Sequence, residues 1–327
     1  MENTASRAEG GAIEKSGAPR CGASRKGGLS RHNQFERKRT FTGLVMLIPT
    51  TVFCTLFIIV PVIRVFYLSF MNWNGISTEK TFAGFSNYAR LPSTEGFWEM
   101  AKGTIIYALG VTVFTIIISF ILAMALDQKG RGRLNRSVMR SLWFFPCLLG
   151  LAIVGILWHI MYNYSNGLIN SIIKMFGGKP VNWLETYGVT RWAIIIASVW
   201  SQIGLCIIVF LAGLQSIPTD LYEAAAIDGA SPRQRRWKIT VPMMAPAITI
   251  NVLTTNITAF KMYELPWIVS NGMPGYSTRL LTQRIFFYAF QGMDYGIGSA
   301  LSVVLIIIIT IISLVQLVFL RKREDVY

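Results

Sequence analysis

Residues 43–63 form an apolar run of 21 residues without a single charge, and such a run has few destinations in a folded chain. Wound as an α-helix it extends about 32 Å, close to the thickness of a bilayer's hydrocarbon core. The pattern returns at 104–126, 192–213 and 295–319, which are uncharged, at 141–161, which carries only His159, and at 242–264, which carries Lys261 and Glu264. Six such runs predict an all-α integral membrane protein with six transmembrane helices. An apolar content of 53%, only 14% charged residues and a mean hydropathy of +0.47 agree. The run 43–63 is longer than a signal-peptide core and is not followed by a small-residue cleavage site, so it is kept as a membrane helix.

The net charge of +15 does not lead to nucleic acid, because no stripe of Arg and Lys interleaved with exposed aromatics occurs in a soluble setting. Its distribution leads to the bilayer. Segments 1–40, 127–140, 214–241 and 320–327 hold 21 Lys and Arg, whereas the alternate segments 71–102, 162–191 and 265–294 hold 8. That bias supports six crossings with both termini in the cytoplasm. Residues 1–40, rich in Gly, Ser and Arg with no periodic apolar face, read as a flexible basic cytoplasmic tail; residues 41–327 read as the membrane domain. Cys21 lies in the tail and Cys54, Cys147 and Cys206 in apolar runs, so no disulfide framework is evident. Outside, Trp73, Phe82, Phe85, Tyr88 and Trp98 suit an interface, and Leu168–Phe176 is a candidate interfacial helix.

Between the fourth and fifth runs, Leu221 to Pro242 reads LYEAAAIDGASPRQRRWKITVP. Asp220 with Glu223 forms one capping-box pattern, Gly229 can end that helix in the left-handed conformation, and Ser231 with Gln234 forms a second box with Pro232 at the first helical position. Two short helices separated by a stop are predicted. Ala224, Ala225 and Ala226 would let the first press closely against another surface. Read from the residues alone, this is equally a plain connector.

Glu223-Ala224-Ala225 with Asp228, Gly229, Ala230, Gln234, Ile239, Pro242 and Pro246 resembles the EAA loop of the permease subunits of binding-protein-dependent ABC importers. Two further stretches resemble the carbohydrate-uptake branch of that family, of the maltose, glycerol-phosphate and lactose permease type. Val269–Thr278 stands where such permeases carry threonine, paired glycines and proline, here with Ser270 for the threonine and Met273 for the second glycine; Asp294-Tyr295-Gly296 then leads into Ala300-Leu301-Ser302. The resemblance spans about residues 43–323. It implies that Glu223, Ala224, Ala225, Asp228 and Gly229 belong to a cytoplasmic coupling helix that docks on a separate ATP-hydrolysing subunit. It also implies a second homologous permease subunit, two ATP-binding subunits, an extracellular solute-binding protein and a carbohydrate substrate.

The fifth run is the least uniform. Asn251, Thr254, Thr255, Asn256, Thr258, Lys261 and Glu264 place polar groups where an unpaired charge costs about 2.5–3.5 kcal/mol. Lys261 and Glu264 can pair at i, i+3, and the Asn and Thr groups can tie helices together. The functional alternative is a substrate pathway formed by Asn251, Thr255, Asn256 and Tyr263, completed by Trp200 and Gln202 of the fourth run. No G-x-x-x-x-G-K loop is present, so no cofactor is expected in this chain, and the ATP-Mg of such a system belongs to its partners. His32 and His159 belong to no metal-ligand cluster, and no catalytic residue is expected. An ion-coupled secondary transporter, or a permease for a solute other than a sugar, is the alternative. The near absence of acidic residues inside the spans weighs against the first.

Overall fold

The computed structural model describes residues 43, 45–127 and 133–324. The expected tail 1–40 lies outside these residues, as do Lys129 and Arg131 of the basic connector. Contacts divide the chain into two units, Met1–Pro61 and Val62–Tyr327. Helix α1 (Val45–Ser69) begins in the first unit, where its side chains are exposed apart from Thr55, and includes a wider turn at Thr55–Ile59.

In the second unit a two-stranded ribbon pairs β1 (Met71–Asn72) with β2 (Thr81–Phe82), Met71 opposite Phe82. Then follow α2 (Ser86–Arg90), α3 (Phe97–Leu126), α4 (Arg133–Leu148), α5 (Leu151–Met161), α6 (Leu168–Met175) and α7 (Val189–Gln215). The remainder is α8 (Thr219–Ile227), α9 (Pro232–Met243), α10 (Ala245–Lys261), α11 (Glu264–Ser270), α12 (Leu281–Phe286) and α13 (Tyr295–Glu324). Four helices among the described residues, α1, α3, α7 and α13, are long and apolar enough to cross a bilayer, and the number rises to six if each of the bent pairs α4–α5 and α9–α10 is one span. The chain is an all-α, multi-span membrane protein.

Two expected spans are not straight. The run 141–161 breaks between Leu148 and Leu151 with a 99° change of direction. Pro146 removes a helical N–H near the end of α4, and Gly150 adopts an extended conformation (φ −59°, ψ 141°) as the cap of α5. Helix α5, with 11 residues, extends about 16 Å and cannot cross the hydrocarbon core alone. The fifth run begins as α9, turns by 56° before α10, and ends at Lys261, because Met262 is extended (ψ 129°). Lys261 and Glu264 therefore stand on different helices, and the i, i+3 pair does not form.

Helix α7 is the most buried of the spanning helices and packs along α3. Its inward face intersperses small residues, among them Ala193, Ala197, Ser198 and Ser201, with larger apolar ones such as Ile195 and Phe210, and the small positions let backbones approach closely. The Tyr107 and Ser198 hydroxyls share a 2.8 Å hydrogen bond across this seam, and Phe120 meets Phe210 edge to face at 5.3 Å. At Gly204 a Cβ would come within 2.7 Å of the Trp143 carbonyl oxygen, so only glycine lets α4 and α7 touch there. The expected interfacial helix is α6, ending one residue early. Its buried Asn170 donates to Tyr164 and Val181 carbonyls and accepts from Val181 N–H and Trp183 Nε1, which folds the following loop back onto the helix.

Candidate functional site

Helix α8 is held by its ends. Pro218, extended, caps it, so Thr219 already lies in the helix and Asp220 sits inside the first turn. The expected Asp220–Glu223 capping box consequently does not form: a side chain one position inside the helix is not at the N-cap. At the other end the Gly229 N–H donates to the Ala226 carbonyl (3.1 Å) and the Ala230 N–H to the Ala225 carbonyl (2.8 Å). With Gly229 at φ +76°, this is a Schellman stop. The Ser231–Gln234 box is present in both directions, at 3.3 and 2.8 Å, and starts α9.

No residue of α8 is buried. Glu223, Ala224, Asp228 and Gly229 are exposed, Ala225 is half-buried, and Ile227 is 87% exposed. A large apolar side chain so far into solvent on a helix with two defined ends leaves a surface without a partner among the described residues. Tyr222 joins the helix to α9 through a 2.9 Å hydrogen bond between its hydroxyl and that of Thr240. Beneath lies an open cavity of about 610 Å³ lined by Asp127, Gln215, Tyr222, Glu223, Arg235 and Arg236 among others.

Along α10 the polar groups separate into three kinds. Thr249, Thr254 and Thr258 donate to carbonyls one turn back in their own helix. Asn251 donates to the Cys206 carbonyl at 3.2 Å, and the Thr255 hydroxyl lies 3.3 Å from the Cys206 thiol, so both join α10 to α7. Asn256 is fully buried, and neither its amide nitrogen nor its oxygen has a partner among the described residues. Trp200 and Gln202 are half-buried on α7. Trp200 meets Trp158 edge to face at 5.8 Å, and Gln202 donates to the Ser198 carbonyl at 3.4 Å. Tyr263 lies past the end of α10, stacked against Trp267 at 6.3 Å and tilted against Phe286 at 4.9 Å. Thus Asn251 and Thr255 share a face, whereas Trp200 and Tyr263 belong to separate aromatic clusters.

The cluster around Tyr263 borders a cavity of about 170 Å³ that sequence reasoning passed over, lined by Trp267, Arg279, Gln283, Arg284, Phe286 and Gln291 among others. Its signal was the i, i+4 spacing of Tyr263 with Trp267 and of Phe286 with Phe290. Among the described residues no group of three or more His, Cys, Asp or Glu side chains could hold a metal ion.

The family model of binding-protein-dependent transport system inner membrane components matches residues 39–325. The chain belongs to this family. As a permease subunit it is 36% identical over 285 residues to the trehalose/maltose transport system permease protein MalF of Thermococcus litoralis, covering 86% of this chain and 95% of that one. It is 30% identical over 282 residues to the probable starch degradation products transport system permease protein AmyD of Thermoanaerobacterium thermosulfurigenes, covering 86% and 94%. Among solved structures, the permease has the fold of a chain in a bacterial alginate ABC transporter crystallised with an alginate pentasaccharide-bound periplasmic protein. The TM-score is 0.78 at 22% identity, over 88% of this chain and 97% of that one.

Proposed function

We propose that this permease is one of two homologous membrane subunits of a carbohydrate importer, receiving its substrate from an extracellular binding protein and driven by ATP hydrolysis in two separate subunits. The membrane domain comprises residues 41–327 and crosses a bacterial cytoplasmic membrane six times, with both termini and α8 on the cytoplasmic side. The observation that carries this reading is α8 itself: a capped, stopped and wholly unburied helix between two membrane segments, presenting Ala224 and Ile227 outward. The relatives named for trehalose/maltose and for starch degradation products support the carbohydrate class.

In this reading Glu223, Ala224, Ala225, Asp228 and Gly229 form the surface that an ATPase subunit grips. Glu223, in the second turn of α8, offers an exposed carboxylate, Ala224 allows close approach, and Gly229 reverses the chain so that α9 carries the movement into α10. Through the residues that α10 and α7 share, a shift of α9 changes the space beside Asn251, Thr255, Asn256, Trp200 and Gln202. These residues form the substrate pathway, and Tyr263 lies at its outer end. Alternating access then needs no covalent chemistry from this chain.

Reconstitution of the full complex with its binding protein tests the coupling surface. Ala224→Trp is expected to weaken ATPase association at least tenfold while leaving the chain inserted; unchanged association would contradict it. Single-cysteine labelling of sealed cells, in a background lacking native cysteines, tests the topology. An impermeant reagent should reach a cysteine at Asn271, which is exposed, and should fail to reach one at Ile227. Labelling at Ile227 from outside would overturn it.

A further inference from the structure

The cavity beside Tyr263 lies at the end of α10 opposite α9, about 25 Å away for a 17-residue helix, and is therefore on the outer side in the proposed topology. Its wall combines three kinds of group. Tyr263, Trp267 and Phe286 supply aromatic faces, and the ring series continues through Phe290 (4.9 Å from Phe286) to Tyr295 (6.3 Å) and Trp73 (5.2 Å). Gln283 is only 3% exposed. Its Oε1 accepts from the Leu280 N–H at 3.2 Å, but its Nε2 has no partner among the described residues. A buried donor left unmade costs about 1–3 kcal/mol, so the amide is poised for an acceptor that the described residues do not provide.

Arg279 and Arg284 supply the third kind. Arg279 donates from Nε to the Gly272 carbonyl (3.1 Å) and lies over the Tyr276 ring. Arg284 donates to the Tyr288 hydroxyl (3.2 Å), lies over Phe287 and Tyr288, and keeps a buried Nε without a partner among the described residues. Neither guanidinium is paired with a carboxylate among the described residues. Two cations on aromatic walls, beside an unsatisfied amide donor, leave the cavity with donors and positive potential and few acceptors.

We propose that this cavity is an outer subsite for one sugar ring carrying a carboxylate. The ring lies against the Tyr263 and Trp267 faces, the carboxylate is held by Arg284 and Arg279, and Gln283 Nε2 donates to a ring or carboxylate oxygen. The proposal rests on the carbohydrate-importer reading and narrows its substrate class to acidic saccharides.

The test uses the full chain in lipid nanodiscs, with ligand-observed saturation-transfer NMR and two probes, methyl β-D-glucuronide and methyl β-D-glucoside. The glucuronide should bind saturably and at least tenfold more tightly than the glucoside. Arg284→Gln should remove most of that preference, and Arg284→Lys should restore part of it. Equal binding of the two probes, absence of glucuronide binding, or a preference unchanged in Arg284→Gln would overturn the proposal. Carbohydrate uptake by a strain lacking this chain separates the two ideas. Lost uptake of neutral sugars with no glucuronide preference removes the subsite and leaves the importer, whereas intact uptake of a full carbohydrate panel removes the importer reading itself.

Discussion

The helix pair α8–α9 and the helix α10 that follows are neighbours in the chain and opposites in physical character. No residue of α8 is buried, and the α8–α9 pair is shaped by local hydrogen bonds: a Schellman stop at Gly229 ends α8 and a two-way box at Ser231 and Gln234 starts α9. Helix α10 is fixed by what surrounds it, with Ala247, Asn251, Thr255, Asn256 and Phe260 all buried. A surface determined by local hydrogen bonds can be read and altered one residue at a time. One determined by packing responds through its neighbours. This division fits a lever whose handle must remain accessible and whose working end must be gripped on all sides.

The largest effect should come from the packed side. Gly204→Val would drive its side chain against the Trp143 backbone, which cannot withdraw as a flexible side chain would. The expected outcome is loss of the chain from the membrane, measured by immunoblot of membrane fractions; normal abundance would mean that the α4–α7 seam is not a packing constraint. Asn256→Leu sharpens the comparison further. The amide is buried and unpartnered, so an apolar side chain of similar volume should leave thermal stability in detergent unchanged or raised. Uptake should nevertheless fall several-fold if Asn256 meets substrate. Unchanged uptake would reassign it to packing. The smallest effect belongs to the exposed side: Ser231→Ala removes one side-chain cap, worth about 1 kcal/mol, and should reduce uptake by less than tenfold with membrane abundance unchanged.

The same division explains what the sequence could tell. The Gly229 stop and the Ser231–Gln234 box were legible because each is decided within one turn of helix. The Asp220 box failed by one residue, because extended Pro218 admits Thr219 to the helix and moves the cap upstream. The spans were legible from length and hydropathy, which are scalar. The 99° turn at Gly150 was not, because hydropathy carries no direction. At the opposite end of α10, Arg279, Gln283 and Arg284 were hidden for a related reason. Their significance comes from Tyr263 and Trp267, which lie more than ten residues away in the chain and reach them only through the fold.

The most direct test of the coupling assignment is made at Gly229. An added Cβ there meets no atom within 4 Å, so a substitution alters only the left-handed backbone, φ +76°. That conformation costs an ordinary residue roughly 1–2 kcal/mol and a β-branched one more, while Asn tolerates it. In the complex reconstituted with its binding protein, Gly229→Val should reduce both stimulated ATP hydrolysis and uptake at least tenfold with the chain fully inserted, and Gly229→Asn should retain most of both. Normal subunit association, stimulated hydrolysis and uptake in Gly229→Val would contradict the assignment of α8 as the coupling helix.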